Sequence, residues 1–591
     1  MRLKSLLLTR RSFVTALAAH VPLHSLQAQD IRYTRLAHPK THFDLKRYSS
    51  RRQWQARRSH LRHQILGAAG LLPFPDRDTI QSQIVKCNLH DNFCTEAVLI
   101  ETLPGYYVGG TVYRPLDTTR RWPAVLIPHG HWKHGRVEDI PSYSVPALGI
   151  NLALQGYVAL AWDMTGYNDT KQTPHDFGGW REQLWAFNPL GLQLWNSIRA
   201  LDYVLSRPDV DGRRIACTGA SGGATQTILL TAVDNRVTCS APVNMISAIY
   251  QGADPCEEAP NLRLGTNNVE IASMMAPRPM LMVSCTGDWT HNTPRQEYPA
   301  VKSTYALFDR ADYVENAHFN ADHNYDRNTR EAVYRFLSKH MLGQPGASFT
   351  EQPAPDIESE ELLSLTSGIA PPDDALEYDA LFAQWRALFT KQDVSRTALR
   401  TACGAQWPTR VGASEFGERL ILTRIGKKDR VPALWLRGRG TPAVIIHPDG
   451  LQAARESPEL KQIREAGRPV LAIDVFQTGV AQAPREEGGR WYLSYNQTDD
   501  ANRVQDILTA LAWLRSQTKD EPELIGIGSA ALWVVLAAAI APRQPVVIAD
   551  LTPFENTDDV LRDHCFIPCL QRAGGIAGAT KLLRNLRPKL S

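Results

Sequence analysis

Beyond residue 28 the sequence has no run long and apolar enough to cross a membrane as a helix. That excludes a helical membrane protein built from this stretch. None of its nine cysteines forms a C-x-x-C pair, so their spacing offers neither a zinc ribbon nor a thioredoxin-like redox pair. An odd number leaves at least one thiol unpaired. Charge bias is also missing. There are 65 basic and 61 acidic residues, and Arg2, Lys4, Arg10 and Arg11 lie in the first 28 positions, which hold no acid. The remainder balances at 61 of each sign, so it presents no electrostatic footprint for nucleic acid or an anionic membrane. Apolar residues are not scarce. With 43% hydrophobic and 21% charged residues over 591 positions, the chain can build ordinary cores in more than one domain.

Residues 1–28 read as an export signal. Thr9-Arg10-Arg11-Ser12-Phe13 resembles a twin-arginine motif. Residues 13–26 are short and only mildly apolar, interrupted by His20, Pro22 and His24, and residues 26–28 offer a cleavage site. A periplasmic or extracellular location is the expectation. Cys87 and Cys94 are seven positions apart, a spacing that allows a bridge across a hairpin after export.

The centre of the chain is the stretch 214–233, RIACTGASGGATQTILLTAV. A buried strand ends near Cys217, and an apolar helix starts near Thr225. Gly219-Ala220-Ser221-Gly222-Gly223 between them is a G-x-S-x-G in the strand-turn-helix setting that a nucleophile elbow requires. Glycines at 219 and 223 let the turn close without side-chain collisions. The helix that follows points its N-terminal amides at Ser221, where an oxyanion would form.

A serine hydroxyl needs a base, and in this fold the chain order is serine, acid, histidine. Asp288 follows the strand expected over 280–285. His323 lies in the polar loop 320–328, after the last strand and before the closing helix 329–342. His318 falls inside that last strand and reads as a packed histidine. Gly222 is expected to supply one oxyanion amide, and His131 or Trp132, in the loop after the strand 124–128, the other. His129, His131 and His134 have H-x-H-x-x-H spacing that suits zinc, but no carboxylate accompanies them, and the oxyanion role accounts for the loop. The reading therefore includes no metal and no cofactor. Trp162, Trp180 and Trp289 are candidate substrate-stacking residues, whereas Trp195 reads as core. Asp163 ends a strand before the elbow and reads as a residue that orders loops.

Strands alternating with helices argue a mainly parallel sheet covered on both faces: an α/β-hydrolase fold over 29–343, preceded by an arginine-rich helical stretch, 42–72, with a solvated basic face. Residues 344–374, rich in Pro, Glu, Ser and Ala, read as a linker. Residues 375–591 repeat the order of the first half. GRPVLAID at 467–474 matches GYVALAWD at 156–163, and LIGIGSAALWVVLAAAIA at 524–541 matches the elbow region. Aligning Gly528 with Gly219 puts Ala530 under Ser221 and leaves Ser529 one position early. The strands that would carry an acid and a histidine are expected to be missing, so this half reads as a degenerate α/β-hydrolase-like domain without a triad.

Several segments resemble the bacterial exported α/β-hydrolases of the acetylxylan-esterase-like and dienelactone-hydrolase-like type. They are PHGHWKHGR (128–136), WDMTGY (162–167), residues 191–227 around the elbow, LRLGTNNVEIASMMAPRP (262–279), TGDWT (286–290) and DHNYDRNTREAVY (322–334). The resemblance implies Ser221 as nucleophile, Asp288 as acid and His323 as base. It also implies an eight-stranded sheet and a small-molecule or polysaccharide ester, such as acetylated xylan, as substrate. Two other readings fit the same residues: a serine peptidase or amide hydrolase, and a tandem glycan-binding protein without catalysis.

Overall fold

The computed structural model describes residues 30–346, 349–355, 357–366, 369–390, 393–485 and 489–589. The export segment expected over 1–28 lies outside them. Two large sheets organise the described residues. The first has nine strands: β1 (Gln81–Leu89), β2 (Cys94–Leu103), β3 (Tyr106–Arg114), β4 (Trp122–Pro128), β5 (Val158–Trp162), β6 (Val210–Ala220), β7 (Cys239–Val243), β8 (Met280–Cys285) and β9 (Val314–Phe319). Their spatial order is β1-β2-β3-β5-β4-β6-β7-β8-β9. The first three form antiparallel hairpins, β3 meets β5 antiparallel, and every later pairing is parallel. The count is nine rather than the eight expected from the resemblance, but the parallel body is as anticipated. Parallel strands are covered on both faces and so read as continuous apolar runs; β5 (VALAW) and β8 (MLMVSC) are buried at every residue.

Helix α1 (Arg51–Ala68) packs on α4 (Gly222–Val233), and α2 (Val145–Leu154), α3 (Pro189–Ser206), α4 and α5 (Arg327–Leu337) pack on this sheet. α3 starts where the Asn188 side chain accepts the Gly191 N–H at 2.8 Å with Pro189 at the first turn, and it stops at Arg207, ahead of Pro208. Its Trp195 is core, donating its indole N–H to the Thr102 carbonyl at 2.7 Å. On α1 the stripe Trp54, Leu61, Ile65 and Leu66 is buried as expected. Its arginines are divided: Arg51, Arg52 and Arg62 are exposed, as expected of a solvated face, whereas half-buried Arg57 pairs with Glu270 at 2.6 Å and half-buried Arg58 reaches Asn235 at 2.9 Å.

The second sheet has eight strands: β10 (Val411–Phe416), β11 (Arg419–Arg424), β12 (Val431–Leu436), β13 (Ala443–Ile446), β14 (Val470–Ile473), β15 (Glu523–Gly526), β16 (Val546–Ala549) and β17 (Leu586–Arg587). Their order, β10-β11-β12-β14-β13-β15-β16-β17, repeats the first eight positions of the first sheet, including the crossover. The place of β8 is therefore taken, by the two-residue β17, where a missing strand was expected.

Two connections depart from the sequence reading. The described parts of 344–374 are tied to the first half. Leu362 O accepts from Thr111 Oγ1 at 2.9 Å and from Arg136 Nη1 at 2.7 Å. Glu351 pairs with Arg330 at 2.6 Å, and the Ser364 N–H donates to Asp169 at 2.8 Å. Helix α6 (Tyr378–Thr390), assigned by its order to the second half, packs on the first core through Leu381, Phe382 and Trp385, with Phe382 stacked on Phe187. Conversely, Asp30 and Arg32 lie on the second half, where Arg32 pairs with Asp506 at 2.7 Å. Proline-rich composition signals the absence of regular structure, not the absence of partners.

Candidate active site

The elbow forms where β6 turns into α4. Ser221 sits at φ 57°, ψ −122°, a backbone conformation disfavoured for any residue with a Cβ. Its N–H donates to the Val243 carbonyl at 3.0 Å, which holds the turn against β7. A Cβ at Gly219 would lie 2.3 Å from the Pro128 carbonyl oxygen, and one at Gly223 would lie 2.2 Å from it. Only glycine lets β4 approach so closely. Gly130 plays the matching part from the β4 side, since a Cβ there would meet the Ala220 carbonyl oxygen at 2.7 Å. The loop carrying His131 and Trp132 is thereby pressed against the elbow, and the His131 ring touches Gly222 so closely that a Cβ on Gly222 would be 2.4 Å from it.

Asp288 and His323 meet as the chain order anticipates. His323 Nδ1 and Asp288 Oδ2 are 2.7 Å apart. The other carboxylate oxygen accepts the Thr290 N–H at 2.6 Å and its hydroxyl at 2.5 Å. Burial alone would raise the Asp288 pKa; the hydrogen bonds from His323 and Thr290 outweigh it and hold the carboxyl below its usual range. With Nδ1 committed to Asp288, Nε2 of His323 is the free basic atom, and it is buried without a hydrogen-bond partner among the described residues. Two indoles flank the imidazole. Trp132 lies parallel to it at 5.7 Å and 6°, itself stacked on Tyr143 at 3.7 Å, and Trp289 lies at 4.7 Å, backed by Tyr250 at 4.5 Å.

Not every candidate gathers here. Trp162 is 1% exposed within the first core, because the strand alternation that brings Asp163 to a loop turns its neighbour inward. Trp180 starts the short helix Trp180–Leu184 and packs toward the second half, with the Arg562 guanidinium 4.7 Å from its ring. Neither lines the elbow. His318 is exposed rather than packed, with Nδ1 2.8 Å from Ser284 Oγ on the neighbouring strand, away from Asp288. Asp163 orders loops as read: it pairs with buried Arg136 at 2.9 Å and accepts from Asn168 at 2.8 Å and from the Asp169 N–H at 3.0 Å. The three histidines of the H-x-H-x-x-H run do not converge. His129 is fully buried and bridges two loops, with Nδ1 2.8 Å from the Gly130 carbonyl oxygen and Nε2 accepting the Met164 N–H at 2.9 Å. Burial lowers its pKa to about 3, so it stays neutral. Instead His131 approaches Asp254, His175 and Cys256, none of which the sequence reading singled out.

The second half answers the elbow differently. The left-handed position of its turn is Gly528, at φ 53°, while Ser529 has ordinary helical angles, φ −65° and ψ −18°. Gly528 O accepts the Ala531 N–H as Ser221 O accepts that of Ala224, and Gly526 packs against Ala530 as Gly219 does against Gly223. The structural equivalent of Ser221 is therefore Gly528, two positions from the alignment drawn on the sequence. This half presses on the first near the elbow. Tyr495 donates to Glu258 at 2.5 Å, the Asn261 N–H donates to the Leu493 carbonyl at 2.8 Å, and Trp491 donates to the Ala253 carbonyl at 2.9 Å.

Sheet, elbow and Asp–His pair define an α/β-hydrolase. No protein-family profile matches the chain. It is similar to YtaP of Bacillus subtilis (strain 168), provisionally named a hydrolase, with 27% identity over 308 residues, 48% of this chain and all of that protein. Among solved structures it is similar to methylesterase BT1017, at 31% identity and TM-score 0.50, over 58% of this chain and 77% of that one. The chain belongs to the same esterase family of α/β-hydrolases as methylesterase BT1017, the acetylxylan-esterase-like family that its motifs resemble.

Proposed function

We propose that the protein is an exported serine esterase that cleaves acyl esters, acetyl above all, on plant polysaccharides such as acetylated xylan through an acyl-enzyme intermediate. The observation that carries this reading is Ser221, held at φ 57° on the elbow, with Trp132 of the loop pressed against that elbow stacked on a histidine whose Nδ1 is bonded to Asp288 and whose Nε2 is free. His323 Nε2 takes the hydroxyl proton as Ser221 Oγ attacks the ester carbonyl. Asp288 keeps the proton on Nδ1 and stabilises the imidazolium. The Gly222 amide, first in α4 and so without an intrahelical acceptor, and an amide of the His131–Trp132 loop hold the oxyanion. His323 then protonates the leaving sugar oxygen and afterwards activates the water that releases the acid. Trp289, beside His323, is a stacking face for the sugar.

The name of the 31%-identical relative, a methylesterase, favours a second reading, cleavage of a methyl ester, in which a carboxyl of the substrate is the acyl group and methanol leaves. One experiment separates the two. Acetate release from acetylated xylan and methanol release from methyl-esterified pectin are measured for wild type and Ser221→Ala, alongside labelling by a serine-directed phosphonate. The expected result is acetate release and labelling by wild type, both lost in the variant, with rates down by about 10⁶-fold. Labelling that survives the substitution would refute the site, and methanol without acetate would move the substrate to methyl esters.

A further inference from the structure

We infer that His131, His175 and Cys256 form a binding site for a thiophilic divalent ion of the zinc type, on the wall of the ester cleft. One donor atom from each lies within 4.8 Å of the other two. His131 Nε2 is 3.0 Å from Cys256 Sγ, and the two imidazoles are 5.3 Å apart, centre to centre, edge to face. Two nitrogens and a sulfur are the donors zinc prefers. A tetrahedral ion with bonds of about 2.0 Å to nitrogen and 2.3 Å to sulfur spaces its donors by about 3.5 Å, so small side-chain rotations suffice.

The surroundings orient the donors. His175 Nδ1 lies 2.8 Å from the Thr165 carbonyl oxygen, an acceptor only, so its proton sits there and Nε2 carries the lone pair. That Nε2 is buried and has no hydrogen-bond partner among the described residues. An aimed, unpaired buried nitrogen is costly unless something binds it. Asp254 Oδ2 lies 3.4 Å from His131 Nδ1, the carboxylate–histidine arrangement that turns the other nitrogen toward a metal. Cys256 is 2% exposed, too enclosed to serve as a nucleophile toward a polysaccharide but well placed as a ligand. The three residues supply three ligands and leave a fourth position open, as in zinc sites that exchange a ligand. Because the His131 ring touches Gly222, occupancy will be felt at the elbow.

The site is tested without reference to ester turnover, on the full chain. Cys87 and Cys94, whose sulfurs are 3.5 Å apart beside Glu96, are a competing thiol cluster, so Cys87→Ser serves as the parent. Titration with Co2+ is expected to give one ion per chain and the near-ultraviolet thiolate-to-cobalt band of a tetrahedral site, displaced by Zn2+. Cys256→Ser should lose the band, His175→Ala should bind at least about tenfold more weakly, and Asp254→Asn about 10–100-fold more weakly. Absence of the band from the parent, or its persistence in Cys256→Ser, would overturn the assignment. If Cys256→Ser does not fold, by circular dichroism, His175→Ala decides alone, and a parent-like titration there overturns it equally.

Discussion

Under the proposed esterase reading, local geometry prepares Ser221 and Asp288 for reaction. Ser221 occupies φ 57°, which costs on the order of 1–3 kcal/mol, tolerated because β4 and β7 grip the turn from both sides. Asp288 has two hydrogen-bond obligations, to His323 and to Thr290. Asp288→Asn keeps the shape but removes the charge that fixes the His323 tautomer, and kcat on an ester should fall by about 10⁴-fold with little change in KM. A pH effect accompanies it. The folded-state pKa of Asp288 is depressed, so its carboxylate stabilises the fold above its unfolded pKa, about 3.9, and that contribution is lost as pH falls through the folded pKa. Asparagine does not titrate. The stability gap between wild type and Asp288→Asn, measured by urea unfolding, should be full near pH 6 and shrink near pH 3. A gap independent of pH would contradict the linkage.

At the scale of elements, two strand-turn-helix units in one chain differ by a single physical choice. β6 to α4 holds a serine at the left-handed position; β15 to the helix Ala530–Ile540 holds Gly528 there. Where no serine is displayed, glycine adopts the same turn without strain. The glycines of the two units should therefore fail for different reasons. Gly223→Ala drives a methyl group against the Pro128 carbonyl and should destabilise by about 1–3 kcal/mol or prevent folding. At Gly528 the nearest atom to an added Cβ is Pro448 Cγ at 3.6 Å, so space is not limiting. Gly528→Ala should cost about 1–2 kcal/mol through its dihedral alone, and Gly528→Asn less, since asparagine tolerates that region. Thermal unfolding of the three variants checks this; equal costs for alanine and asparagine at 528 would remove the dihedral explanation.

At the scale of the molecule, the two halves are tied by exchanged segments. Residues 349–355, 357–366 and α6 belong to the first half by contact, while Asp30 and Arg32 belong to the second. A chain of residues 30–346 loses Leu381, Phe382 and Trp385, buried side chains worth about 1.5–3 kcal/mol each. It should aggregate or melt well below a chain of residues 30–390, which keeps them. Differential scanning calorimetry of the two would show it, and matching transitions would mean α6 is dispensable. The second half braces the 253–261 loop, next to Cys256 and the elbow, through Trp491, Leu493 and Tyr495 and through the Ala402 carbonyl, which accepts from the Asn261 side chain at 2.9 Å. A shift in KM for polymeric substrate with little change for small esters is expected from Tyr495→Phe.

The sequence by itself determined the serine at the tip of a turn, the order serine, acid, histidine along a parallel sheet, and the repetition of that sheet in the second half. Each is written in local signals: glycines where backbones must approach, apolar runs where strands are covered, and acid and histidine at the ends of strands. Tertiary structure alone decided the rest. Trp162 turned inward while Trp289 came to lie on His323, because an indole at a strand end suits a core or a cleft equally well and only the opposing layer selects between them. The order of elements assigned α6 to the second half, and only the contacts of Leu381, Phe382 and Trp385 place it on the first core. His131, His175 and Cys256 come from three loops distant in sequence, so no spacing motif could join them, and only the folding of those loops around the elbow brings their nitrogen and sulfur atoms within reach of one ion.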